Sequence, residues 1–412
     1  MQEDLNERAK HVVWPGLLHL AREDGSFTLH NHEHGTSLDV EPESGAAVMA
    51  ILRAFQEAQP IEAFLTDHPE TSPELLDLVV RSGFVVSELE LPFLAHGFLR
   101  PSERSVGEAW SWSDLPSLTA VGSWVVLGVP TDAQALGQAG ARHGPDEIRG
   151  AFDAGLVSGE GDLVDYDFKR VYRDLRLRVF DLGDVDPEGG RADHVGQRLT
   201  KVVRELFAQR LRPLVLGGDH SLTHYVIAEA AEHFERFGVI HFDAHADLLA
   251  SRTLSHANVF RGAVASPRVT HLLQIGLRAL ERIGPYAGLD PCPKRQIVTA
   301  REVAAGGAQA ALASLPRDLP YYLTFDVDCL DGAVARETGA PSLGGLSFLQ
   351  ASELVDFIAR TFDLLGADFV EVSNASPSPN FAAMAVASML QRCLLGGCSF
   401  EALPADVYSL PG

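Results

Sequence analysis

Residues 237–247 read FGVIHFDAHAD. The apolar run 237–240 reads as a strand, and it leads into Asp243, His245 and Asp247 at alternating positions. In an extended chain residues i, i+2 and i+4 share one face, so the three converge if the extended path continues through Asp247. Two carboxylates and an imidazole gathered beside a buried sheet are costly unless something compensates their charge. A divalent cation would do so. A strand-end turn with solvated acids is the other reading, and the motif alone leaves both open.

The surrounding chain repeats this grammar. Short β-rich runs lie at 123–130, 178–185, 211–220, 237–245, 269–278, 319–328 and 367–373, with helical stretches such as 195–210 and 222–237 between them. Strands alternating with helices predict a mostly parallel sheet covered on both faces. Ligand sites in such sheets gather at the carboxyl ends of the strands. The polar clusters fall there: GGDH (217–220), DAHAD (243–247), DVD (326–328) and EVS (371–373). His220, Asp326 and Asp328 thus join Asp243, His245 and Asp247. Four carboxylates balance two divalent cations, and such a site can generate a nucleophile at neutral pH and attract a cationic substrate. Carboxylates with two imidazoles suit manganese; iron, cobalt, nickel and zinc fit similar sites.

The bulk numbers bound the answer. A chain of 412 residues has room for two or three domains, and its 46% apolar content permits substantial cores. A net charge of −23 argues against a nucleic-acid surface. The four cysteines form no CxxC pair, so neither a disulfide framework nor a thiolate zinc site is indicated, and a reducing cytoplasm fits. The apolar stretch 12–21 follows Glu3, Asp4 and Glu7, where a signal peptide would be basic, and Pro15 and His19 interrupt it. No run approaches the length of a membrane span.

The amino-terminal quarter differs from the rest. Its first hundred residues carry 17 acidic against 6 basic side chains. Residues 26–40 read as a strand hairpin turning at Gly35, 43–58 as a helix capped by Ser44, 72–83 as a helix between Ser72 and Gly83, and 84–89 as a strand. This order predicts a small α+β, winged-helix-like module over 1–98, a Ser-rich linker over 99–120 and a catalytic domain over 121–412. His30, His32 and His34 alternate within the acidic hairpin and read as exposed turn histidines rather than metal ligands.

GGDHS (217–221), DAHAD (243–247) and FDVDCLD (325–331) resemble the three metal motifs of the ureohydrolases, the arginase and agmatinase family. The stretch 128–152, with Gly140, Arg142, Gly144, Pro145 and Arg149, is similar to that family's early loop, and DLGDV (181–185), ETGAPSLGGLS (337–347) and DFVEVS (368–373) also match. The resemblance covers about residues 121–412 and implies a three-layer arginase-like α/β fold with a mostly parallel central sheet. It implies that His220, Asp243, Asp247 and Asp326 hold one metal and Asp243, His245, Asp326 and Asp328 the other. It further implies two Mn2+, a hydroxide oriented by Asp247, and attack on a guanidinium carbon to give urea and a primary amine. Glu371 matches the residue that holds the substrate guanidinium, and a carboxylate suits that planar cation. A salt bridge to a neighbouring arginine is its structural alternative. His256 falls where agmatinases have a loop histidine and would pass a proton to the leaving amine. Trimers or hexamers are a further implication.

Several loops depart from the family pattern. Ala257 follows the loop histidine where glycine is usual, Gly332 follows Asp331 where proline is usual, TGAP (338–341) replaces Thr-Gly-Thr-Pro, and no proline follows within two residues of Glu371. Leu249 stands where arginases carry an asparagine for the free amino acid, and leucine cannot accept a hydrogen bond from an α-ammonium. Agmatine, another guanidino compound or an arginine-containing peptide is therefore expected rather than free arginine. The amino-terminal module loosely resembles PqqD-like peptide-binding domains, which would present a peptide by strand addition; a stabilising or oligomerising extension is the alternative. Two other functions remain open. One is a formimidoylglutamase-like or deacetylase-like C–N hydrolase on the same fold. The other is a non-catalytic, metal-stabilised binding protein.

Overall fold

A computed structural model describes residues 10–13, 17–22, 24–31, 36–55, 59–82, 84–87, 99–100, 102, 104–109, 122–136, 138–153, 155–159, 161–185, 192–249, 251, 253–280, 292–374 and 379–404. The chain divides into two compact units, Met1–Phe98 and Leu99–Gly412.

In the first unit, Leu17–Ala21, Phe27–Asn31 and Thr36–Val40 form an antiparallel meander. Lys10–Val13 lies between Gln59–Pro60 and Val85–Ser87 in a second small sheet. Helices Pro42–Ala54, Ile61–Asp67 and Pro73–Arg81 complete it, around a core that includes Phe27, Ile51, Phe55, Phe64 and Val79. Ser72 caps the last helix, accepting from Leu75 N at 3.3 Å. Ser44 does not cap the first. That helix begins two residues earlier, at Pro42, where a proline's missing N–H and fixed φ cost nothing. Of the histidine triplet, only the backbone of His30 is described, within its strand; the three side chains lie outside the described residues.

Among the described residues the main sheet of the second unit has ten strands, nine of which form its continuous path: β1 (Leu99–Arg100), β2 (Trp124–Val129), β3 (Val179–Val185), β4 (Arg212–Gly217), β5 (Phe237–Phe242), β6 (Val269–Ile275), β7 (Arg295–Val298), β8 (Tyr321–Asp326) and β9 (Leu364–Val370). They run in the order β7-β6-β5-β8-β9-β4-β2-β3-β1. Every neighbouring pair is parallel except the edge pair β3–β1. Residues 99–120 read as a linker, yet two of their segments belong to this sheet: β1, and Glu108–Ala109, which pairs with Phe180 and Asp181 of β3.

β2, β5, β8 and β9 are buried along their whole length, which accounts for their near-continuous apolar sequences. Helices cover both faces. Ala192–Ala208 packs on Leu222–His233, while Ala300–Leu312, Phe348–Thr361, Phe381–Leu395 and Gly144–Ala151 pack in that order, each on the one before. The result is the expected three-layer α/β fold. Arg149 ties the early helix to the sheet. Buried, it donates Nε and Nη2 to the two oxygens of Asp181 at 2.9 Å each and Nη1 to Asp184 at 2.5 Å. Among the described residues no helix is long and apolar enough to cross a membrane.

Candidate metal centre

The six metal-ligand candidates meet at the carboxyl ends of β4, β5 and β8. The route differs from simple strand alternation. β5 stops at Phe242, and Asp247 has left-handed backbone geometry, with φ +50°. Such geometry is uncommon for a residue with a side chain and marks a position held by its surroundings. β8 likewise stops at Asp326, and Val327–Cys329 forms a 3-10 turn capped by Asp326 Oδ1, which accepts from Asp328 N at 2.8 Å. His220 follows the glycine pair after β4. A Cβ on Gly218 would lie 1.8 Å from Thr131 O, so only glycine lets this turn pass the early loop.

His220 Nδ1 lies 3.0 Å from Asp247 Oδ2, 3.3 Å from Asp243 Oδ2 and 3.4 Å from Asp326 Oδ2. His245 Nδ1 lies 3.0 Å from Asp328 Oδ2 and 3.3 Å from Asp243 Oδ1. Asp243 therefore offers one oxygen to each histidine. Asp326 approaches His220 through Oδ2 while its other oxygen caps the turn, and the group around His245 comprises Asp243 and Asp328.

Does this donor set fit metal ions? His220 Nδ1 is fully buried and makes no hydrogen bond of ordinary geometry. Its ring partner Nε2 faces Thr324 Oγ1 at 2.9 Å. With Nε2 placed to donate to that hydroxyl, Nδ1 is the atom left facing three carboxylates; against the cost of burial, Asp243, Asp247 and Asp326 hold the imidazole well above the usual histidine range, so a cation can take the place of the proton there. Burial followed by repulsion from Asp243 raises Asp247 to about 7 and Asp328 to about 6. Burial, then Asp328 and Asp243, drives Asp326 well above the usual carboxylate range. Crowded, desolvated carboxylates around a lone nitrogen donor are a cation site by chemistry.

Glu371 adjoins this cluster. It too has left-handed geometry, with φ +63°, and is buried. Its Oε1 accepts from His220 N at 2.8 Å and lies 3.0 Å from His256 Nδ1. His256 Nε2 in turn accepts from Leu136 N at 2.9 Å, so Nδ1 carries the proton given to Glu371. Asp219, pushed up to about 6 by burial and by Glu371, accepts from Gln134 N at 3.0 Å and fastens the early loop beside them.

The family model described as the arginase family matches residues 123–396. The chain belongs to the arginase family. As a member it is a hydrolase acting on carbon–nitrogen bonds of linear amidines, and its relatives are agmatinase-like. It is 34% identical over 306 residues to the agmatinase of Edwardsiella ictaluri, covering 72% of this chain and 96% of that protein. A hypothetical agmatinase from Burkholderia thailandensis matches in structure with a TM-score of 0.57 and 31% identity, over 66% of this chain and 84% of the other. Formimidoylglutamase from Bacillus subtilis shares the fold with a TM-score of 0.57 and 22% identity, over 73% of this chain and 96% of the other.

This arginase-family chain also holds polar residues that motif reading passed over. Gln274 of β6, His241 of β5, Thr324 of β8 and Asp368 of β9 form one cross-strand row, and all are completely buried. Each is a polar residue inside an apolar strand. His241 and Thr324 each stand two positions before a ligand candidate, which was the available signal.

Proposed function

We propose that the chain is a two-metal amidinohydrolase that cleaves a guanidino group to urea and a primary amine. The observation that carries this reading is Glu371: a buried carboxylate beside the cation cluster, held at φ +63° with Oε1 fixed by His220 and His256. A neutral amide substrate has no use for an anion there, whereas a guanidinium pairs with it through charge-assisted hydrogen bonds.

In this reading His220, Asp243, Asp247 and Asp326 hold one cation, and Asp243, His245, Asp326 and Asp328 hold the other. Mn2+ is the proposed metal; Fe2+, Co2+, Ni2+ and Zn2+ are its competitors. When bound, such a pair supplies Lewis acidity and a water acidified enough to attack at neutral pH. Glu371 orients the guanidinium. Asp247 accepts a hydrogen bond from the attacking water and aligns it with the central carbon. The attacking water gives up a proton by way of Asp247 to His256 Nε2, the bond from that carbon to the tail nitrogen breaks, and His256 passes that proton to the departing amine. That role needs His256 to release Leu136 N–H; until then the ring steadies Glu371.

The proposed tail is that of agmatine, a guanidino acid or an arginine-containing peptide. Leu249, 45% exposed, and Leu136, 65% exposed, adjoin the His256 segment through backbone bonds and bring no charge for an amino-acid head group. For a peptide, the meander of the first unit has two strands, Leu17–Ala21 and Thr36–Val40, that pair on one side only among the described residues, as strand addition requires. The test is urea release by the Mn2+-loaded full-length protein from agmatine, guanidino acids, free arginine and an arginine-containing peptide. Urea and amine in equal amounts from at least one guanidino compound is expected. No urea from any of them, with turnover of a formimino or amide substrate, would replace this reading with the formimidoylglutamase-like or deacetylase-like one.

A further inference from the structure

Distance alone would admit His241 as a metal ligand, because it groups with His220, Asp243 and Asp247 with ligand atoms all within 4.8 Å of one another. Hydrogen-bond chemistry argues otherwise. One terminal atom of the Gln274 amide lies 2.8 Å from Ala246 O and 2.9 Å from His241 Nδ1. A carbonyl only accepts, so that atom is the NH2 nitrogen. Arg295 Nε lies 2.6 Å from the other terminal atom, and a guanidinium only donates, so that atom is the oxygen. The two ends fix the amide orientation independently. The NH2 group therefore donates to His241 Nδ1, which leaves the proton of the neutral ring on Nε2. Nε2 lies 2.8 Å from Asp243 Oδ2.

We propose that Gln274, oriented by Arg295, is a positioning residue that fixes His241 as an Nε2–H donor to Asp243, and that His241 is not itself a metal ligand. Its consequence rests on the two-metal reading above. Asp243 Oδ2 faces His220 and Oδ1 faces His245. The bond from His241, together with His245 N donating to Oδ1 at 2.6 Å, sets the carboxylate rotation that gives one oxygen to each side. Outer hydrogen bonds of this kind orient ligands and strengthen metal binding. His241 is packed against Phe260, with ring centroids 4.1 Å apart, so it cannot turn to compensate for a lost partner without repacking.

The test uses full-length protein with 15N-labelled histidine, the His241 signals being assigned by their loss in His241→Asn. Metal-free wild type should show a protonated Nε2 and an unprotonated Nδ1, and added Zn2+, which is diamagnetic, should leave that proton in place. In Gln274→Glu the side chain can only accept, so the proton should appear on Nδ1, and Mn2+ affinity should fall roughly tenfold to hundredfold. Arg295→Met removes one of the two constraints on the amide while Ala246 O keeps the other, so the Nε2–H tautomer should persist and the loss of Mn2+ affinity should be smaller than in Gln274→Glu. An Nδ1–H tautomer in wild type, loss of the Nε2 proton on Zn2+ addition, or unchanged Mn2+ affinity in Gln274→Glu would overturn the proposal. A wild type that binds no metal counts against the proposed function, and the metal-free tautomer still decides this inference by itself.

Discussion

The backbone N–H of His220 donates to Glu371 Oε1 at 2.8 Å, while the ring of the same histidine faces three aspartates through Nδ1. One residue thus joins the two halves of the candidate site, the cation cluster and the guanidinium clamp. Their coupling shapes the expected behaviour of variants.

Glu371→Gln keeps the shape and the hydrogen bonds that Oε1 accepts but removes the charge. Its Mn2+ content should match wild type. Loss of a charge-assisted bond of about 2 kcal/mol should lower kcat/KM about thirtyfold, mainly through KM. Steady-state kinetics alongside metal analysis checks both parts.

His256→Ala should leave bound Mn2+ unchanged and lower kcat by roughly a hundredfold or more, the range of a lost general acid. Because the ring also bonds Glu371 and Leu136 N, KM should rise as well. A variant with normal kcat and raised KM would assign His256 to positioning alone.

Asp326→Asn separates cation binding from folding by its sign. In chelator, replacing a buried carboxylate driven far above its usual range should leave the melting temperature equal or higher. With Mn2+ the order should reverse. Metal at a hundred times its Kd stabilises wild type by about 2.7 kcal/mol, several degrees in Tm, and the variant should lose most of that gain. Melting curves of both proteins with and without Mn2+ make the comparison.

Arg149→Ala should destabilise the second unit by about 3–5 kcal/mol, because Asp181 and Asp184 would be left without their buried partner. Arg149→Lys should recover only part, since lysine cannot pair with both oxygens of Asp181 at once. Denaturant unfolding measures the difference.

Much of this fold was legible because the parallel strands are buried on both faces and so read as apolar runs closed by polar motifs. What sequence left out has physical causes. Asp247 reaches the cluster by a left-handed turn held by the loop around it, which alternation along a strand does not encode. The row Gln274–His241–Thr324–Asp368 depends on register between four strands spread along the chain from residue 241 to residue 368, and single-strand patterns carry no register. Segment 99–109 reads as linker because its strands are two residues long and polar in part, too short for periodicity to show. The start of the first helix was set by Pro42 rather than by Ser44, two competing signals two residues apart.

Anomalous diffraction from a crystal of the Mn2+-loaded protein tests the central claim most directly. Two manganese peaks are expected, one bounded by His220 and Asp247, the other by His245 and Asp328, with Asp243 between them. A single peak, or none within this cluster, would contradict the account.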